Sequence, residues 1–217
     1  MNQCNRNECV VFKSRETRNG LSNLSSGYPL RVNQLLIPSA ESLYQAAKYS
    51  ALPEIQREIF MITSSLRVRS ICRKYQAQTR PDWNEIKEQV MEWCLRLKLA
   101  QHWIGFGGVL LNTGDRQIVE QTSKNRFWGA APSNKTGETL RGENRLGNLL
   151  TRLRDEYAND TYDHSVLSPL RIVTPPEISN LLILGQPVSQ WKPGKPVDRR
   201  TLSSPVQWAS TVGAHQF

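Results

Sequence analysis

Residues 82–101 carry the strongest periodic pattern in this sequence, and a fold for this chain has to accommodate it. Apolar or uncharged side chains recur there at steps of three and four residues, the spacing of one face of an α-helix: Trp83, Ile86, Val90, Cys94, Leu97 and Gln101. The other face carries charged side chains: Glu85, Lys87, Glu88, Glu92 and Lys98. With Asp82 as N-cap and Gly105 as its end, this pattern predicts an amphipathic helix of about 20 residues.

Shorter elements are predicted on both sides of that helix. Strands are predicted over residues 9–12, 30–37 and 117–121, next to turn residues. Helices are predicted over residues 40–49 with Ser39 as N-cap, over 53–62, over 66–74 and over 144–157. The glycine-rich run at 105–108 is interpreted as a tight turn between helices, and residues 133–142 as a polar, mobile loop.

The C-terminal part differs in composition from the rest. Proline recurs there, at positions 169, 175, 176, 187, 193, 196 and 205. The run Leu181-Leu182-Ile183-Leu184 is nevertheless too apolar for a free linker. We therefore divide the chain into a domain over residues 1–157, an extended tail docked on it over 158–188, and a loosely held segment over 189–217.

The charge of the chain favours an anionic partner. Lys and Arg number 28 against 19 Asp and Glu, a formal net charge of +9. Such a balance is typical of proteins that bind nucleic acid, nucleotides or phosphorylated metabolites. Residues 64–80 hold five basic side chains and no acid. That stretch is either an ordinary solvated face or a surface that meets phosphate or nucleic acid.

Cysteine, histidine and apolar content limit the other classes of protein. The four cysteines, Cys4, Cys9, Cys72 and Cys94, form no Cys-x-x-Cys pair, and the three histidines are isolated. We therefore expect free thiols and no metal site. The sequence has neither a signal-peptide pattern nor an apolar run of membrane-spanning length. These features predict a cytoplasmic protein with no membrane partner.

Glu41 and Lys48 are the first candidates for chemistry. Steps of three and four residues place Glu41, Tyr44, Gln45 and Lys48 on one stripe of the helix predicted over 40–49. A buried lysine has a lowered pKa, and its neutral amine can attack an aldehyde or anomeric carbon, while a nearby carboxylate moves the protons. Taken alone, however, a Glu and a Lys on a helix are usually solvated charges.

Two further motifs admit a binding or a structural interpretation. Phe127-Trp128-Gly129 could stack a base, with glycine allowing close backbone approach, or Trp128 could belong to the core. The run from Gly142 to Gly147 begins a predicted helix, and the free N–H groups of a helix start favour phosphate. Each signal is weak on its own, because aromatic residues and helix starts are common.

Taken together and in order, these segments resemble the NADAR (YbiA-like) family over about residues 12–157. The matching runs are Leu21-Ser22-Asn23, Ala40-Glu41 with Tyr44-Gln45-Ala46 and Lys48-Tyr49, Arg80-Pro81-Asp82-Trp83, Val90-Met91, Thr113-Gly114, Val119-Glu120, Trp128-Gly129, and Gly142-x-Asn144-x-Leu146-Gly147 with Leu149-Leu150 and Leu153-Arg154. Within the family, Trp93-Cys94-Leu95-Arg96 and the run 181–187 look most like antitoxins paired with DarT DNA ADP-ribosyltransferases.

The resemblance implies a fold, a reaction and a site. The fold is α+β, a mainly helical compact domain with a small sheet. The enzyme is an N-glycosidic hydrolase that removes ADP-ribose from guanine bases in DNA, without a cofactor. Lys48 forms a transient imine with the opened ribose, and Glu41 shuttles protons. The substrate-binding residues are Asn23, Tyr44, Arg69, Trp83, Glu120, Trp128, Gly129, Asn144 and Gly147.

The chain departs from the family pattern at two positions. Many relatives have Ser-Glu-His at the position of Ala40-Glu41-Ser42, so no histidine role is carried over. Many also have Asp where this chain has Asn125, and an amide cannot act as a general base. Two alternatives stay open. The resemblance also admits an N-glycosidase acting on ribosylated intermediates of riboflavin synthesis, and Asn125 leaves open a non-catalytic module that binds ADP-ribose or a toxin.

Overall fold

The computed structural model describes residues 2–134, 136–160 and 168–193, and this part of the chain has a mixed α+β fold. The strands are β1 (Asn2–Asn5), β2 (Cys9–Lys13), β3 (Leu30–Val32), β4 (Leu35–Ile37), β5 (Gln117–Gln121), β6 (Ala130–Pro132), β7 (Thr139–Gly142), β8 (Leu182–Ile183) and β9 (Gln186–Pro187). The helices are α1 (Ala40–Ala46), α2 (Pro53–Phe60), α3 (Ser65–Lys74), α4 (Trp83–Gln101), α5 (Trp103–Leu111) and α6 (Arg145–Ala158). The predicted fold class, helices with a small sheet, is confirmed.

The main sheet has five strands in the order β1-β7-β6-β5-β2. Strand β5 is parallel to β2 and to β6, whereas β7 is antiparallel to β6 and to β1. Helix α6 packs on β5, and α4 contacts α1, α5 and α6. The predicted loop over 133–142 is corrected in part, because Thr139–Gly142 forms strand β7.

The two edge strands of this sheet, β1 and β2, are consecutive in the chain. A short 3-10 turn, Arg6–Glu8, joins them, so the sheet has to curl until its edges meet. Cys4 and Cys9 form a disulfide across this junction, with their Cα atoms 6.7 Å apart. The prediction of four free thiols is therefore wrong for this pair and holds for Cys72 and Cys94.

Helix α4 is the central helix of the domain, and two details of its prediction are wrong. Lys98, assigned to the charged face, is 1% exposed. Its Nζ donates to the carbonyl oxygens of Gly20 and Ser22, at 2.5 and 3.2 Å. Gly105 does not end the helix, because α4 stops at Gln101 and the glycine-rich run lies inside α5. A Cβ at Gly107 would collide with the ring of Tyr157, so glycine there lets α5 approach α6.

The single strand predicted over residues 30–37 is a hairpin. Asn33 and Gln34 have φ of 48° and 67°, and this pair of positive values is typical of the tight turn that joins antiparallel strands. Strands β3 and β4 pair on either side of it. The helix that follows begins as predicted, since the hydroxyl of Ser39 accepts from the backbone N–H of Ser42.

The segment 168–193 lies against the helices through a buried amide. Gln56, fully buried on α2, donates to the carbonyl oxygens of Ala46 and Leu182 and accepts from the N–H of Leu184. Val173 and Trp191 pair through their backbones, Val173 belongs to the core and Trp191 packs against it, so the contacts of this segment with the domain continue past residue 188. Residues 161–167 and 194–217 lie outside the described residues, and the division of the chain proposed for them stays a prediction.

In the ranges that the structure describes, no helix combines the length and the apolar character that a membrane span requires.

Candidate active site

Helix α1 and the 3-10 turn that follows it, Ala47–Tyr49, present one functional stripe to a cleft. Eight of the eleven predicted site residues line this cleft, whose volume is about 340 Å³. We call it the inner cleft. The predicted residues along it are Asn23, Glu41, Tyr44, Lys48, Arg69, Trp83, Glu120 and Trp128. The central prediction, that Glu41 and Lys48 face a common cavity, is therefore consistent with the geometry.

Glu41 is a buried carboxylate, 2% exposed, with a counter-charge. Arg69 donates to both of its oxygens, Nε at 2.7 Å and Nη2 at 3.2 Å, and the Nε2 of Gln45 donates at 2.8 Å. Burial alone would raise the pKa of Glu41, but the charge and hydrogen bonds of Arg69, the hydrogen bond from Gln45 and the charge of Lys48 together outweigh it, and the net pKa is lowered. Glu41 is thus held ionised, which suits a fixed negative charge better than the proton shuttle we predicted.

Lys48 is half-buried and differs from the other basic residues of the cleft. Among the described residues its Nζ has no hydrogen bond or ion pair; it lies 5.4 Å from the ring centre of Trp83 and 5.8 Å from that of Tyr44. Loss of water around the ammonium group lowers its pKa, although the negative charge of Glu41 acts in the opposite direction. A larger fraction of this amine is therefore neutral than for a solvated lysine.

Glu120 is a second buried carboxyl group in the inner cleft, 4% exposed. It lies on β5 and is hydrogen-bonded to the hydroxyl of Ser14, which follows β2. Burial raises the pKa of Glu120, because the hydrogen bond from Ser14 and the charge of Arg69 compensate only in part. The two carboxyl groups of the cleft are thus shifted in opposite directions.

Two buried acceptor atoms of the cleft residues have no hydrogen-bond partner within the described residues. They are the Oδ1 of Asn23 and the Oε1 of Gln45. The orientation of the Gln45 amide follows from its bond to Glu41, which fixes the nitrogen on that side. A buried acceptor without a donor is costly, so these two oxygens leave a cost that the described residues do not offset.

Aromatic rings form the walls of the inner cleft. The ring of Tyr44 lies 5.0 Å from that of Trp83 and 5.8 Å from that of Trp128, centre to centre. Such faces suit a planar heterocycle or the apolar face of a sugar.

A second, larger cavity of about 890 Å³ opens beside the inner cleft, and we call it the outer basin. Gln45, Lys48, Arg69, Trp83, Asn84 and Asn125 line both cavities. The basic residues of the outer basin are Arg15, Lys48, Arg69, Arg73, Arg80 and Lys124. No carboxylate is among the described residues that line it. Part of the basic stretch 64–80 thus faces a cavity, whereas Arg67 and Lys74 lie outside it.

The structure does not bring Gly129, Asn144 and Gly147 to either cavity. The amide of Asn144 accepts from the N–H of Glu120 and donates to the carbonyl of Ile118. A Cβ at Gly147 would collide with the Ile118 carbonyl, and one at Gly129 with the Glu120 carbonyl. All three residues therefore hold β5 in place, and we assign them a structural role instead of the predicted contact with substrate.

At the start of α6, where we predicted a phosphate contact, two of the backbone donors are already used. The backbone N–H groups of Arg145 and Leu146 donate to the carbonyls of Phe127 and Trp128, at 3.0 Å each. Helix starts are a common source of anion sites, but here a neighbouring loop already occupies these donors.

Several residues that line the inner cleft were given no role in the sequence analysis. Ser14 and Gln45 are the ones with chemical consequences, since they bond to Glu120 and Glu41. Gln45 lies on the predicted stripe, so its spacing could have revealed it, whereas Ser14 has no local signal. Asn125 lines both cavities, and its Oδ1 accepts from the N–H of Trp128.

Comparison with known proteins gives a consistent picture. The N-glycosidase YbiA of Escherichia coli (strain K12) is 32% identical over 148 residues, 68% of this chain and 86% of that protein. A riboflavin biosynthesis protein of Vibrio vulnificus is 31% identical over 149 residues, 68% of this chain and 38% of that protein. The NMR structure of E. coli YbiA matches with a TM-score of 0.57 and 27% identity, over 75% of this chain and 97% of the other. The NADAR domain model matches residues 10–158. The chain belongs to the NADAR domain family.

Proposed function

We propose that this chain is an N-glycosidase that releases ADP-ribose from guanine bases in DNA and thereby counteracts a DarT-type DNA ADP-ribosyltransferase. The observation that carries the proposal is the desolvated amine of Lys48, at the junction of an aromatic-walled cleft and a basin lined by cations. Relatives named N-glycosidase support the type of reaction. The substrate, the DarT pairing and a cytoplasmic location are part of the proposal.

Lys48 acts as the nucleophile in this proposal. Its neutral amine attacks C1′ of the ribose, the bond from C1′ to the guanine nitrogen breaks, and an imine forms after the sugar ring opens. Water then adds to C1′ and releases the lysine. Glu41, held ionised by Arg69, stabilises the positive charge that develops at C1′ and on the imine.

The two cavities suggest how the substrate is divided. The inner cleft is at the lower end of the size range of small-molecule sites, so it accommodates a ribose and part of the base. The unpartnered oxygens of Asn23 and Gln45 would accept from ribose hydroxyl groups or from base N–H groups. The outer basin would take the pyrophosphate and the DNA backbone, for which its arginines are suited.

A second candidate is hydrolysis of a ribosylated intermediate of riboflavin synthesis. It is favoured by the relatives named as riboflavin biosynthesis proteins. Such a substrate needs the inner cleft but not an extended basic surface. The third alternative, a module that binds without turnover, rests on Asn125, whose amide gives no general base.

The decisive experiment is incubation with ADP-ribosylated guanine and thymine oligonucleotides, followed by chromatography for free ADP-ribose. We expect release from guanine, and borohydride should trap a covalent adduct at Lys48. Lys48→Ala should bind substrate without turnover, whereas Lys74→Ala, whose lysine pairs with Glu58 outside both cavities, should behave as wild type. Full turnover by Lys48→Ala would remove Lys48 from the mechanism.

The choice between DNA and metabolite depends on the outer basin. Arg73 lines it, whereas Arg67 on the same helix does not, so the two form a matched pair. Arg73→Ala should weaken DNA substrates, reduce their salt dependence and leave a free ribosylated base unaffected; Arg67→Ala should change neither. Equal effects of Arg73→Ala on both substrates would contradict a DNA-facing basin.

A further inference from the structure

The inner cleft holds two carboxyl groups in different environments, and the mechanism above uses only one of them. Glu41 receives three hydrogen bonds, two of them from its ion-pair partner Arg69. Glu120 has a single side-chain bond, to the hydroxyl of Ser14, and no ion pair within the described residues. Two carboxyl groups whose surroundings drive their protonation states apart are the usual arrangement for separate acid and base roles.

We propose that Glu120, and not Glu41, is the proton donor to the departing base. The inference rests on the proposed N-glycosidase function and adds a third catalytic group to it. The geometry behind it is the location of Glu120, Glu41 and Lys48 on one cleft, with Glu120 on β5 and the other two on or next to α1.

The proton balance of the step is as follows. When the bond from C1′ to nitrogen breaks, its electron pair stays on the nitrogen of the base. The carboxylic proton of Glu120 moves to that nitrogen, so the base leaves neutral and Glu120 becomes a carboxylate. The Lys48 amine forms the new bond to C1′, and one of its protons moves to the ring oxygen as the sugar opens. The water that later adds to C1′ releases a proton, which returns to Glu120.

The electrostatic surroundings of Glu120 support this assignment. The charged groups that act on it are Glu41 on α1, which disfavours its ionisation, and Arg69 on α3, which favours it. Arg69 is already paired with Glu41, and burial remains the largest influence, so the pKa of Glu120 is raised. Glu120 therefore keeps its proton to higher pH than a solvated glutamate.

The proposal predicts a particular change in pH dependence. Turnover needs a proton on Glu120 and none on Lys48, so the wild-type rate should fall at both ends of the pH range. In Glu120→Gln no transferable proton remains. We expect kcat to fall by about 10²–10⁴-fold and the alkaline decline to disappear, so that the rate rises with pH to a plateau. Glu120→Asp keeps a carboxylic proton and should retain the alkaline decline. Glu138→Gln changes an exposed carboxyl group outside the cleft and should match wild type in kcat and in pH dependence.

A second measurement does not depend on turnover. The side-chain carboxyl ¹³C signal missing from Glu120→Gln should titrate at higher pH than a solvated glutamate does. If wild type cleaves no ADP-ribosylated guanine, the proposed substrate is wrong, and the pH comparison is repeated with a ribosylated intermediate of riboflavin synthesis. Three results would each overturn the assignment of Glu120. One is a Glu120 carboxyl that titrates at the same pH as a solvated glutamate. The others are a Glu120→Gln variant that keeps the alkaline decline, or one that keeps more than half of wild-type kcat.

Discussion

Replacing Lys98 by methionine tests the electrostatics of the core on which the site is built. Lys98 is 1% exposed on α4 and binds the carbonyls of Gly20 and Ser22, in the loop that carries Asn23 into the inner cleft. Its Nζ also lies 4.1 Å from the ring centre of Phe106. Burial removes water from the ammonium group and lowers its pKa to about 7.

Because the pKa of Lys98 is lowered in the folded protein, the free energy of unfolding depends on pH. Between pH 7 and an unfolded value near 10.5, the unfolded chain binds more protons at Lys98 than the folded one, so the free energy of unfolding rises with pH. The full span corresponds to roughly 5 kcal/mol, at most about 1.4 kcal/mol per pH unit. Below pH 7 both states are protonated, and Lys98 contributes no slope.

Urea unfolding of wild type and Lys98→Met at pH 7 and pH 9 measures this effect. Methionine leaves two carbonyls without a donor, a loss that does not depend on pH and therefore cancels in the comparison. The difference in free energy of unfolding between the two proteins should change by roughly 2 kcal/mol from pH 7 to pH 9, in favour of wild type at the higher pH. A difference that stays constant within about 0.5 kcal/mol would refute the buried, mainly neutral lysine, since extrapolation errors are of that size.

Three further predictions concern the site and its support. Gly147→Ala should lower the free energy of unfolding by roughly 2–4 kcal/mol because its Cβ meets the Ile118 carbonyl, whereas Gly108→Ala, with nothing within 4 Å, should raise it by about 0.5–1 kcal/mol; urea unfolding compares the two. Arg69→Gln removes the counter-charge of Glu41, so the pKa of Glu41 should rise; an unchanged carboxyl titration by NMR would show that Arg69 does not hold Glu41 ionised. Asn125→Asp should change kcat by less than about tenfold, since a missing general base would cost 10²–10⁴-fold; a larger gain would mean that this chain lacks a needed carboxylate.

Much of the helical part of the fold could be predicted because its signals are local. The Ser39 cap, Pro53 at the start of α2 and the periodicity of α4 act within a few residues. The failures concern distant partners. Nothing near Lys98 shows that the carbonyls of Gly20 and Ser22 lie beneath it, and nothing near Gly107 shows that Tyr157 does.

For the candidate site too, local patterns could be predicted and contacts between distant residues could not. The stripe on α1 was predicted from helical spacing together with family resemblance, and its members line one cleft. The roles of individual residues depend on contacts between distant parts of the chain. The hydrogen bond from Arg69 to Glu41 joins residues 28 positions apart, and the one from Ser14 to Glu120 joins residues 106 positions apart. Asn144 and Gly147 belong to a matching motif, yet they support β5 and not a ligand. A motif identifies residues that matter without saying whether they serve the fold or the chemistry.

The amide of Gln56 has a practical consequence for protein production. The family match ends at residue 158, which would be a natural place to shorten the chain. A fragment cut there would lose Leu182 and Leu184, two of the three hydrogen-bond partners of a fully buried amide, and would uncover the helix pair that carries Lys48. Expression and assay are therefore better served by a chain that includes residues 168–193.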